Sequence, residues 1–421
     1  MNPVHTLYVC YFGLREPLVQ TPVVSYLRQL QSENLRVSLL TFEPRFRESW
    51  SADEIAGARA TLADMGIGWH YLPYHKTPSL PATLYDIAAG TRAIARLMRR
   101  EGVNILHARN HVPALMCAIA KRRFGVQLVF DIRGFMPEEY TDAGVWPANG
   151  YLYRGLKRVE RYLLKSADAF VVLTEKARDI MFSESRGDVA GGSTDRRGRP
   201  IEVIPCCVDF ERFENVATIA KESLRDELKL ANRRVIVYVG SFGGWYMTDE
   251  MTEFLSVAQQ QDPSTFSMIL TQSPKQMVAE RLAALGIAEK DFIVTQVAPG
   301  EVPRYLKAAD IAISFIKPCY SKQSSSPTKM AEYLASGLPI VCNAGVGDLD
   351  KLIVDNRAGA LLREFNRQAY LHALEEIEAL RAETNLAERL RGVARREFDL
   401  VGVGRTRYRR LYERLLKSRL M

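Results

Sequence analysis

Short apolar runs of strand length recur along this chain, and between them apolar residues are spaced as on one face of a helix. In the first half we predict helices at residues 23–30, at a segment ending in 92–100, at 113–122 and at 153–165. The predicted strands of this half are residues 7–12, 37–42, 104–107, 127–132, 169–173 and 201–204. Continuous apolar strands alternating with helices indicate a parallel sheet covered on both faces.

The same alternation starts again in the second half, with strands predicted at 235–239, 267–270, 292–294, 311–315 and 340–342. Between the halves, the Gly- and charge-rich segment 187–200 is predicted to be a flexible surface loop, and PCCVDFERF is predicted to be a linker. A length of 421 residues suits two or three domains. We therefore predict an α/β protein with two Rossmann-like, doubly wound domains, residues 1–205 and 206–400, and a final helix in 401–421. Such domains would face an interdomain cleft lined by the carboxyl ends of their strands.

The composition is that of a globular protein, with 47% hydrophobic and 25% charged residues. The six cysteines show no C-x-x-C spacing, which argues against a zinc site or a disulfide framework and suits a reducing cytosol. No apolar run has the length of a membrane span, and the N-terminus lacks the positive region of a signal peptide. We expect a cytoplasmic protein, with a peripheral contact to the inner face of the membrane as a further option.

The net charge is +8, and the excess of Lys and Arg lies in the first half and in residues 401–421. This asymmetry favours an anionic partner, either an acidic phospholipid surface or a phosphorylated acceptor. The alternative is an ordinary solvated, Arg-rich surface. We do not predict nucleic acid as a partner.

The stretch 310–341, DIAISFIKPCYSKQSSSPTKMAEYLASGLPIV, is typical of a strand, a polar loop, a short helix and a second strand. Pro327 suits the first helical position with Ser326 as the N-cap, and Gly337 and Pro339 suit the end of the helix. Hydroxyl groups, a lysine and unpaired backbone N–H groups at a helix start form a suitable receptor for phosphate. The alternative is a βαβ unit with a solvated loop.

A glycine-rich loop, GSFGGW at 240–245, follows the apolar run VIVYV. Glycines allow backbone N–H groups to approach a phosphate closely. Neither half has G-x-G-x-x-G after its first strand, and the loop has no Gly-Lys-Ser/Thr of a P-loop, so a dehydrogenase is disfavoured. Alone, the loop indicates only a tight turn.

Together these segments resemble glycosyltransferase family 4, the bacterial sugar-transferase branch with the GT-B fold. The resemblance rests on IPCCVDFERF, YVGSFGGWY, VPRYLKAADIAISF and SPTKMAEYLASGLPIVCNAGVGD, and on ILHARNHVPALMCAIAKRRFGVQLVFDIRGF in the first half. It implies a retaining, hexosyltransferase-like, metal-independent enzyme that moves a sugar from a nucleotide-sugar to a carbohydrate, lipid-linked or phosphorylated acceptor. The nucleotide-sugar is a substrate, so no cofactor and no metal are expected. The resemblance also implies a last helix that crosses back to the N-terminal domain.

The resemblance assigns donor binding to the second half. Glu332 is expected to accept hydrogen bonds from the ribose hydroxyls, as a carboxylate can from a cis diol. The helix start at 326–329 is expected to hold the diphosphate. The remaining donor-side residues are Ser324, Ser326, Thr328, Lys329, Gly240, Ser241 and Gly243.

Two positions depart from the family pattern. Many members have a second Glu at the position of Ser324, where it contacts the donor sugar. Many also carry an Arg and a Lys in the loop that here reads SFGGWY. Candidates for the missing positive charge are Lys329, Lys322 and Arg133.

The sequence DIRG at 131–134 follows a strand whose carboxyl end is expected at the site. Relatives place Thr-x-His here, whereas Arg133 occupies the His position and stays protonated, so it cannot be a neutral base. We predict that Arg133 binds phosphate and that Asp131 orients it, the alternative being a buried structural pair. His107 is the third catalytic candidate, with a hydrogen-bonded structural role as the alternative. On the acceptor side we name Arg109 and Glu138, although a solvated loop carboxylate is the favoured interpretation of Glu138.

The predicted function is thus a glycosyltransferase of polysaccharide or glycoconjugate biosynthesis. Two alternatives stay open: a nucleotide-sugar epimerase of the same fold, and a non-catalytic nucleotide-sugar binder that lacks the usual Glu and His.

Overall fold

The structure is a computed structural model that describes residues 4–32, 34–187 and 191–417. The chain divides into two compact units. Unit 1 extends to Pro205 and resumes at Val403, and unit 2 comprises Cys206–Gly402. Each contains a mainly parallel sheet with helices, so the predicted fold class is confirmed. None of the described helices combines the length and the apolar character that crossing a bilayer requires.

Unit 1 is built on a sheet whose strands are β1 Val4–Cys10, β2 Leu35–Pro44, β3 Ile67–Tyr74, β4 Ile105–Arg109, β5 Gln127–Ile132, β6 Ala169–Val172, β7 Arg186–Gly187, β8 Ser193–Thr194 and β9 Pro200–Val203. Its helices are α1 Val24–Leu30, α2 Phe46–Ser49, α3 Ala52–Asp64, α4 Ser79–Glu101, α5 His111–Phe124, α6 Met136–Asp142, α7 Tyr151–Ser166, α8 Glu175–Met181 and the last helix of the chain, α18 Thr406–Lys417.

Within the described residues, this sheet has the order β3-β2-β1-β4-β5-β6-β9-β8-β7. The strands from β3 to β9 are parallel, and β7 and β8 add an antiparallel edge. Chain order reverses between β1 and β4, and the crevice at the carboxyl ends of such a strand pair is where doubly wound domains bind ligands. Side chains of β1, β4 and β5 are buried because helices cover both faces of the sheet.

Two parts of unit 1 differ from the sequence prediction. Strand β3 was not predicted, because it is an edge strand with several half-exposed positions and lacks a continuous apolar run. The loop prediction for 187–200 is wrong at Gly187 in β7, at β8 and at Pro200, which starts β9. Residues 191–192 and 195–199 do lie in bends, turns and loop, and residues 188–190 lie outside the described ranges. The turn is closed by Asp195, whose carboxylate accepts from the N–H groups of Arg197 and Arg199 at 2.9 Å each.

The last helix, α18, belongs to unit 1. Glu202 of β9 is 2% exposed and accepts from Arg410 Nε at 2.7 Å and from Arg414 Nη1 at 3.1 Å. Arginines of the basic tail are therefore ion-paired inside the unit. The apolar face of the helix is also buried, through Tyr408, Leu411, Tyr412 and Leu415.

Unit 2 is built on a second sheet, with β10 Arg234–Val239, β11 Thr265–Leu270, β12 Phe292–Thr295, β13 Ile311–Ser314, β14 Ile340–Asn343 and β15 Gly359–Leu362. Its helices are α9 Glu211–Ala217, α10 Lys221–Glu227, α11 Thr248–Gln261, α12 Lys275–Ala284, α13 Val302–Ala308, α14 Thr328–Ala335, α15 Leu349–Asp355, α16 Arg367–Arg381 and α17 Leu386–Phe398. All strand pairs are parallel, in the order β12-β11-β10-β13-β14-β15. Chain order reverses between β10 and β13, so the loops after these two strands meet at the switch point.

Helix α14 follows β13 and starts one residue later than predicted. Pro327 holds the cap position, and no side chain caps the helix. The prediction of Ser326 as the N-cap is therefore wrong, and its Oγ instead accepts from the N–H of Cys206 at 3.1 Å. Residues 320–324, expected as open loop, form a turn of 3₁₀ helix.

Candidate functional site

Lys329 lies at the centre of the candidate site in unit 2, in the first turn of α14, and is 7% exposed. Its Nζ is 3.3 Å from the hydroxyl of Tyr238. The same nitrogen is 4.3 Å from the ring centre of Tyr238 and 3.8 Å from that of Tyr246. In the part of the chain that the structure describes, no carboxylate forms an ion pair with it, although the charge of Glu332 is near. Burial lowers the pKa of Lys329 well below its usual value, and Glu332 opposes that shift.

Gly240 directly follows β10 and lies opposite this amine. Its φ is +139°, and a Cβ at this position would lie 2.5 Å from Lys329 Nζ. Gly243, also predicted on the donor side, has a φ of +94°. The carbonyl of Ser241 accepts from the Tyr238 hydroxyl at 2.6 Å, which fixes the loop against the strand. At Gly240 the backbone itself therefore faces Lys329, which leaves room beside the two tyrosine rings for the close approach of a phosphate.

Glu332 lies one turn further along α14, and its side chain is 12% exposed. Its Oε1 accepts from Arg212 Nη1 at 3.2 Å, and Arg212 Nη2 donates to the carbonyl of Pro299 at 2.5 Å. Burial raises the pKa of Glu332, whereas Arg212 and then Lys329 act to lower it. Among the described contacts Oε2 has no hydrogen bond, so this oxygen can accept from a ligand hydroxyl.

The serines before α14 do not converge on Lys329. Ser324 is 2% exposed, and its Oγ donates to the carbonyl of Ser321 at 2.7 Å, inside the 3₁₀ turn. Ser326 bonds Cys206, as described above. Thr328 is the first residue of the helix, where backbone N–H groups have no partner within the helix. The Nζ of Lys322 lies 3.9 Å from the ring centre of Trp245, on the same glycine-rich loop.

In unit 1, His107 and Asp131 are both fully buried. Asp131 accepts from the hydroxyls of Tyr8 at 3.1 Å and Tyr408 at 3.4 Å, and Arg133 Nη1 is 3.5 Å from its other oxygen. Burial acts to raise the pKa of Asp131, but Arg133 and His107 hold it below its usual range. The predicted Asp131–Arg133 contact is present, within an interior network.

His107 is covered by α18. Its Nδ1 is 2.9 Å from the hydroxyl of Tyr412, and its Nε2 is 3.8 Å from Asp131. Burial lowers the pKa of His107, against the opposing effect of Asp131, so the ring is neutral near pH 7. A side chain without solvent access does not reach a substrate in this arrangement, which favours the structural alternative for His107 and Asp131.

The two acceptor-side candidates are also buried. Arg109 is 7% exposed, at the end of β4. Glu138 lies in α6 and is 9% exposed, with Lys157 Nζ at 3.0 Å and the hydroxyl of Tyr153 at 3.1 Å. The favoured interpretation of Glu138 as a solvated loop carboxylate is therefore wrong, because α7 packs over it and supplies partners.

A histidine that the sequence analysis passed over lies at the carboxyl edge of the unit 1 sheet. Asp86, 1% exposed, accepts from His75 Nδ1 at 2.6 Å and from the Tyr11 hydroxyl at 2.8 Å. This carboxylate orients the half-exposed imidazole and leaves Nε2 without a hydrogen bond among the described residues. Such a ring can contact an acceptor hydroxyl. No motif links the two residues in sequence: His75 follows β3, Asp86 lies in α4, and the fold of the chain between these elements brings them together.

The aromatic and arginine partners in unit 2 were missed as well. Tyr238 and Tyr246 flank the amine, and Arg212 pairs with Glu332. Tyr238 looks like an ordinary core position in the run VIVYV, and Arg212 lies in α9, far from α14 in sequence. In the described ranges, no cluster of three or more His, Cys, Asp and Glu side chains is arranged to hold a metal ion.

Two tandem Rossmann-like units, which superpose on solved glycosyltransferases over nearly the whole chain, give this protein the GT-B fold. Two family models match the chain: "Glycosyl transferase 4-like domain" at residues 19–187, in unit 1, and "Glycosyl transferases group 1" at residues 220–397, in unit 2. These matches support a GT-B glycosyltransferase of the family 4 type.

The chain is similar to spore coat protein SA of Bacillus subtilis (strain 168), with 23% identity over 198 residues, which cover 45% of this chain and 50% of that protein. The match thus spans half the length of this curated relative. Among solved structures, a glycosyltransferase from Rickettsia africae ESF-5 superposes with a TM-score of 0.72 and 14% identity, covering 99% of this chain and 100% of that one. Anabaena Alr3699/HepE in complex with UDP-glucose superposes with a TM-score of 0.67 and 13% identity, covering 97% and 99%. At these identities the structures show the shared fold.

Proposed function

We propose that this protein is a retaining, metal-independent glycosyltransferase that moves a sugar from a nucleotide-sugar to a carbohydrate, lipid-linked or phosphorylated acceptor. The observation that carries the proposal is the buried amine of Lys329, which lies at a helix start beside a glycine backbone and has no carboxylate partner among the described residues. A charged ammonium in such a place needs an anion, and a nucleoside diphosphate supplies one.

The donor is held by three elements of unit 2. The N–H groups at the start of α14 and the ammonium of Lys329 bind the diphosphate. Glu332 Oε2 accepts from the ribose hydroxyls while Oε1 stays on Arg212. Support for this class of donor comes from HepE, whose structure contains UDP-glucose. Ser324 stands where many relatives have a Glu, but its hydroxyl donates to the carbonyl of Ser321 within the same turn. Other groups must therefore select the donor sugar.

The transfer step breaks the bond between the anomeric carbon and the terminal phosphate oxygen, and the electron pair stays on the departing diphosphate. Lys329 and the helix N–H groups stabilise that charge as it develops. The new bond forms between the anomeric carbon and the acceptor oxygen, whose proton leaves on the diphosphate. Arg133, Arg109 and Glu138 remain the proposed unit 1 residues, and His75 joins them because its Nε2 lacks a partner among the described residues.

A ligand panel tests donor binding. Thermal unfolding of the protein is measured in separate samples with UDP, GDP, ADP or dTDP, and then with the corresponding nucleotide-sugars. We expect the nucleotides of one base to raise the midpoint of thermal unfolding, since a ligand that binds only the folded state stabilises it by mass action. The matched variant Lys329→Met should show a clearly smaller shift with that ligand, whereas Lys351→Met, at an exposed position of α15, should respond as the wild type does. A flat panel for the wild type contradicts the proposal.

Product analysis then separates the remaining functions. Incubation of the donor with and without an acceptor pool, followed by NMR of the anomeric signal, should show transfer with retention only when acceptor is present. Change of the donor sugar without acceptor would establish the epimerase, and tight binding without turnover for any acceptor would establish the non-catalytic binder. We assign the transferase to polysaccharide or glycoconjugate biosynthesis, in the cytoplasm and at the inner face of the membrane.

A further inference from the structure

Three helices of unit 1, α4, α5 and α7, form one layer on the sheet, since α5 packs against both α4 and α7. On α7 the exposed cations recur at intervals of four, three and four residues, so they line one face of the helix over about 17 Å. None of these side chains is paired with a carboxylate among the described residues. The four are Arg154, Arg158, Arg161 and Lys165.

The fifth cation of the same helix, Lys157, differs from these four. Lys157 points inward, where its Nζ is 3.0 Å from Glu138 and also contacts Glu160. The buried carboxylates of Glu138 and Glu160 therefore pair with Lys157 and not with the four exposed cations of α7. The exposed Arg92 and Arg96 of α4 extend the positive charge across the layer. These two residues and the four of α7 are called the cationic face.

Acidic side chains do not offset this charge. Within the described residues of α4, α5 and α7, Asp86 and Glu160 are buried. Glu101 is 3.1 Å from His70 and 3.6 Å from Arg36. No carboxylate of the three helices is therefore free to neutralise the cationic face.

The positive surface continues past the end of α7 into a pocket of about 360 Å³. Arg161 and Lys165 line it together with Arg196 and Arg197 of the turn before β9. Its acidic residues are Glu184 and Asp195, and Asp195 is engaged by Arg199, with Nε at 3.0 Å. The apolar lining comes from Leu164, Met181 and Phe182. A pocket with cationic walls and apolar side chains suits the head group of an anionic amphiphile.

The same layer exposes apolar side chains where α4 and α7 begin, at the carboxyl edge of the sheet. Tyr151, the first residue of α7, is 92% exposed. In the first turns of α4, Leu80 and Leu84 are each 58% exposed and Tyr85 is 63% exposed. Exposed apolar residues beside unpaired cations are typical of a surface that lies on a bilayer, with the apolar groups at the level of the head groups. A soluble polyanion would pair with the cations but would not bury these apolar side chains.

We propose that the cationic face, together with Tyr151, Leu80, Leu84 and Tyr85, docks this protein on an anionic lipid bilayer. The attraction of juxtamembrane Lys and Arg to acidic lipid supplies most of the affinity. Arg410 and Arg414 of the basic tail are not part of this surface, because both are engaged by Glu202. Docking by this layer places the carboxyl edge of the unit 1 sheet at the membrane, which deepens the proposed function by favouring a lipid-linked acceptor.

Vesicle sedimentation of the full chain tests the docking surface. We expect the wild type to pellet with vesicles of equal parts phosphatidylglycerol and phosphatidylcholine, to stay in solution with phosphatidylcholine alone, and to be released by salt. The variant with Arg154→Gln, Arg158→Gln, Arg161→Gln and Lys165→Gln should bind the anionic vesicles about 100-fold more weakly or worse, since each cation near the surface is worth about fivefold.

The matched control removes the same charge from exposed positions of unit 2, by Lys275→Gln, Lys290→Gln, Lys351→Gln and Arg363→Gln, and should bind as the wild type does apart from a small general effect. A variant with Leu80→Asn, Leu84→Asn and Tyr151→Ser should dissociate at lower salt than the wild type. Unchanged thermal midpoints show that the variants are folded.

Absence of wild-type binding to anionic vesicles overturns the docking proposal, as does equal loss of binding in the α7 variant and its control. Binding to heparin but not to vesicles would assign the surface to a soluble polyanion and would overturn it too. The assay contains neither donor nor acceptor, so a failure here is distinguishable from a failure of the transferase proposal.

Discussion

The Nζ of Lys329 lies 3.8 Å from the ring centre of Tyr246, in the interior of unit 2. Attraction between a cation and an aromatic face is worth about 2 kcal/mol when desolvated, whereas removing an ammonium from water costs several kcal/mol. The arrangement therefore costs stability until an anion arrives. Such a cost at a helix start beside a glycine supports the proposed anion-binding site.

Replacement of Lys329 by Met should separate stability from binding. Met has a similar length and no charge to desolvate, so we expect Lys329→Met to raise the unfolding free energy of the ligand-free protein by about 1–3 kcal/mol. The affinity for the nucleoside diphosphate found in the panel should fall about 10- to 100-fold, since a hydrogen bond to a charged group is worth about 1.5–3 kcal/mol. Urea unfolding and calorimetric titration measure the two effects. A less stable variant with unchanged affinity would contradict the assignment.

Binding of the diphosphate should be coupled to proton uptake. Burial lowers the pKa of Lys329 in the free protein, and a bound dianion raises it again. Between these two pKa values the complex carries one more proton than the free protein, so protons are taken up and affinity falls as pH rises through this window. Titration in two buffers of different ionisation enthalpy measures the uptake. The Lys329→Met variant is the control, and an equal uptake in both proteins would exclude Lys329 as the source.

Glu332 should recognise the ribose of the donor. We expect Glu332→Gln to weaken binding of the nucleoside diphosphate about 10-fold, because the hydrogen bonds to a charged acceptor are lost. The wild type should bind the 2′-deoxy form of the same ligand about 10-fold more weakly than the ribose form. In the variant the two ligands should bind alike. If the variant discriminates between them as strongly as the wild type, Glu332 does not contact the 2′-hydroxyl.

Asp131 should stabilise unit 1 above the pKa of an unfolded aspartate. Its folded-state pKa is held below the usual range by Arg133 and His107 against the effect of burial. The stabilisation is therefore complete above pH ~4 and is lost as pH falls through the folded-state pKa. Asp131→Asn should lower the unfolding free energy at pH 7 by about 3–5 kcal/mol, the cost of breaking a buried charge pair.

The difference between wild type and Asp131→Asn should shrink as pH decreases, which urea unfolding at a series of pH values measures. Asp64→Asn, at an exposed position of α3, is the matched control and should change little. A difference that stays constant down to acidic pH would mean that the charge of Asp131 is not what stabilises the network.

Much of the fold follows from local pattern. Short continuous apolar runs such as VIVYV and ILHA, bounded by turn residues and alternating with helical patterns, are typical of strands buried on both faces, so the parallel sheets were predictable. The strands that escaped prediction, β3, the β7–β8 pair and β15, lie at the edges of the two sheets, where exposure weakens the apolar signal. The cap of α14 was displaced because a contact distant in sequence, between Ser326 and Cys206, took the hydroxyl.

By itself, then, the sequence determined the two doubly wound halves and pointed to Glu332, Lys329 and the glycine loop. Only the tertiary structure decided which charges are free. Arginines of the tail are engaged by Glu202, whereas the row on α7 faces solvent. Likewise His107 and Asp131 are fully buried, with α18 covering His107. Lys329 is buried without a carboxylate partner among the described residues. The physical reason is that desolvation and pairing depend on side chains far apart along the chain, and no local pattern records them.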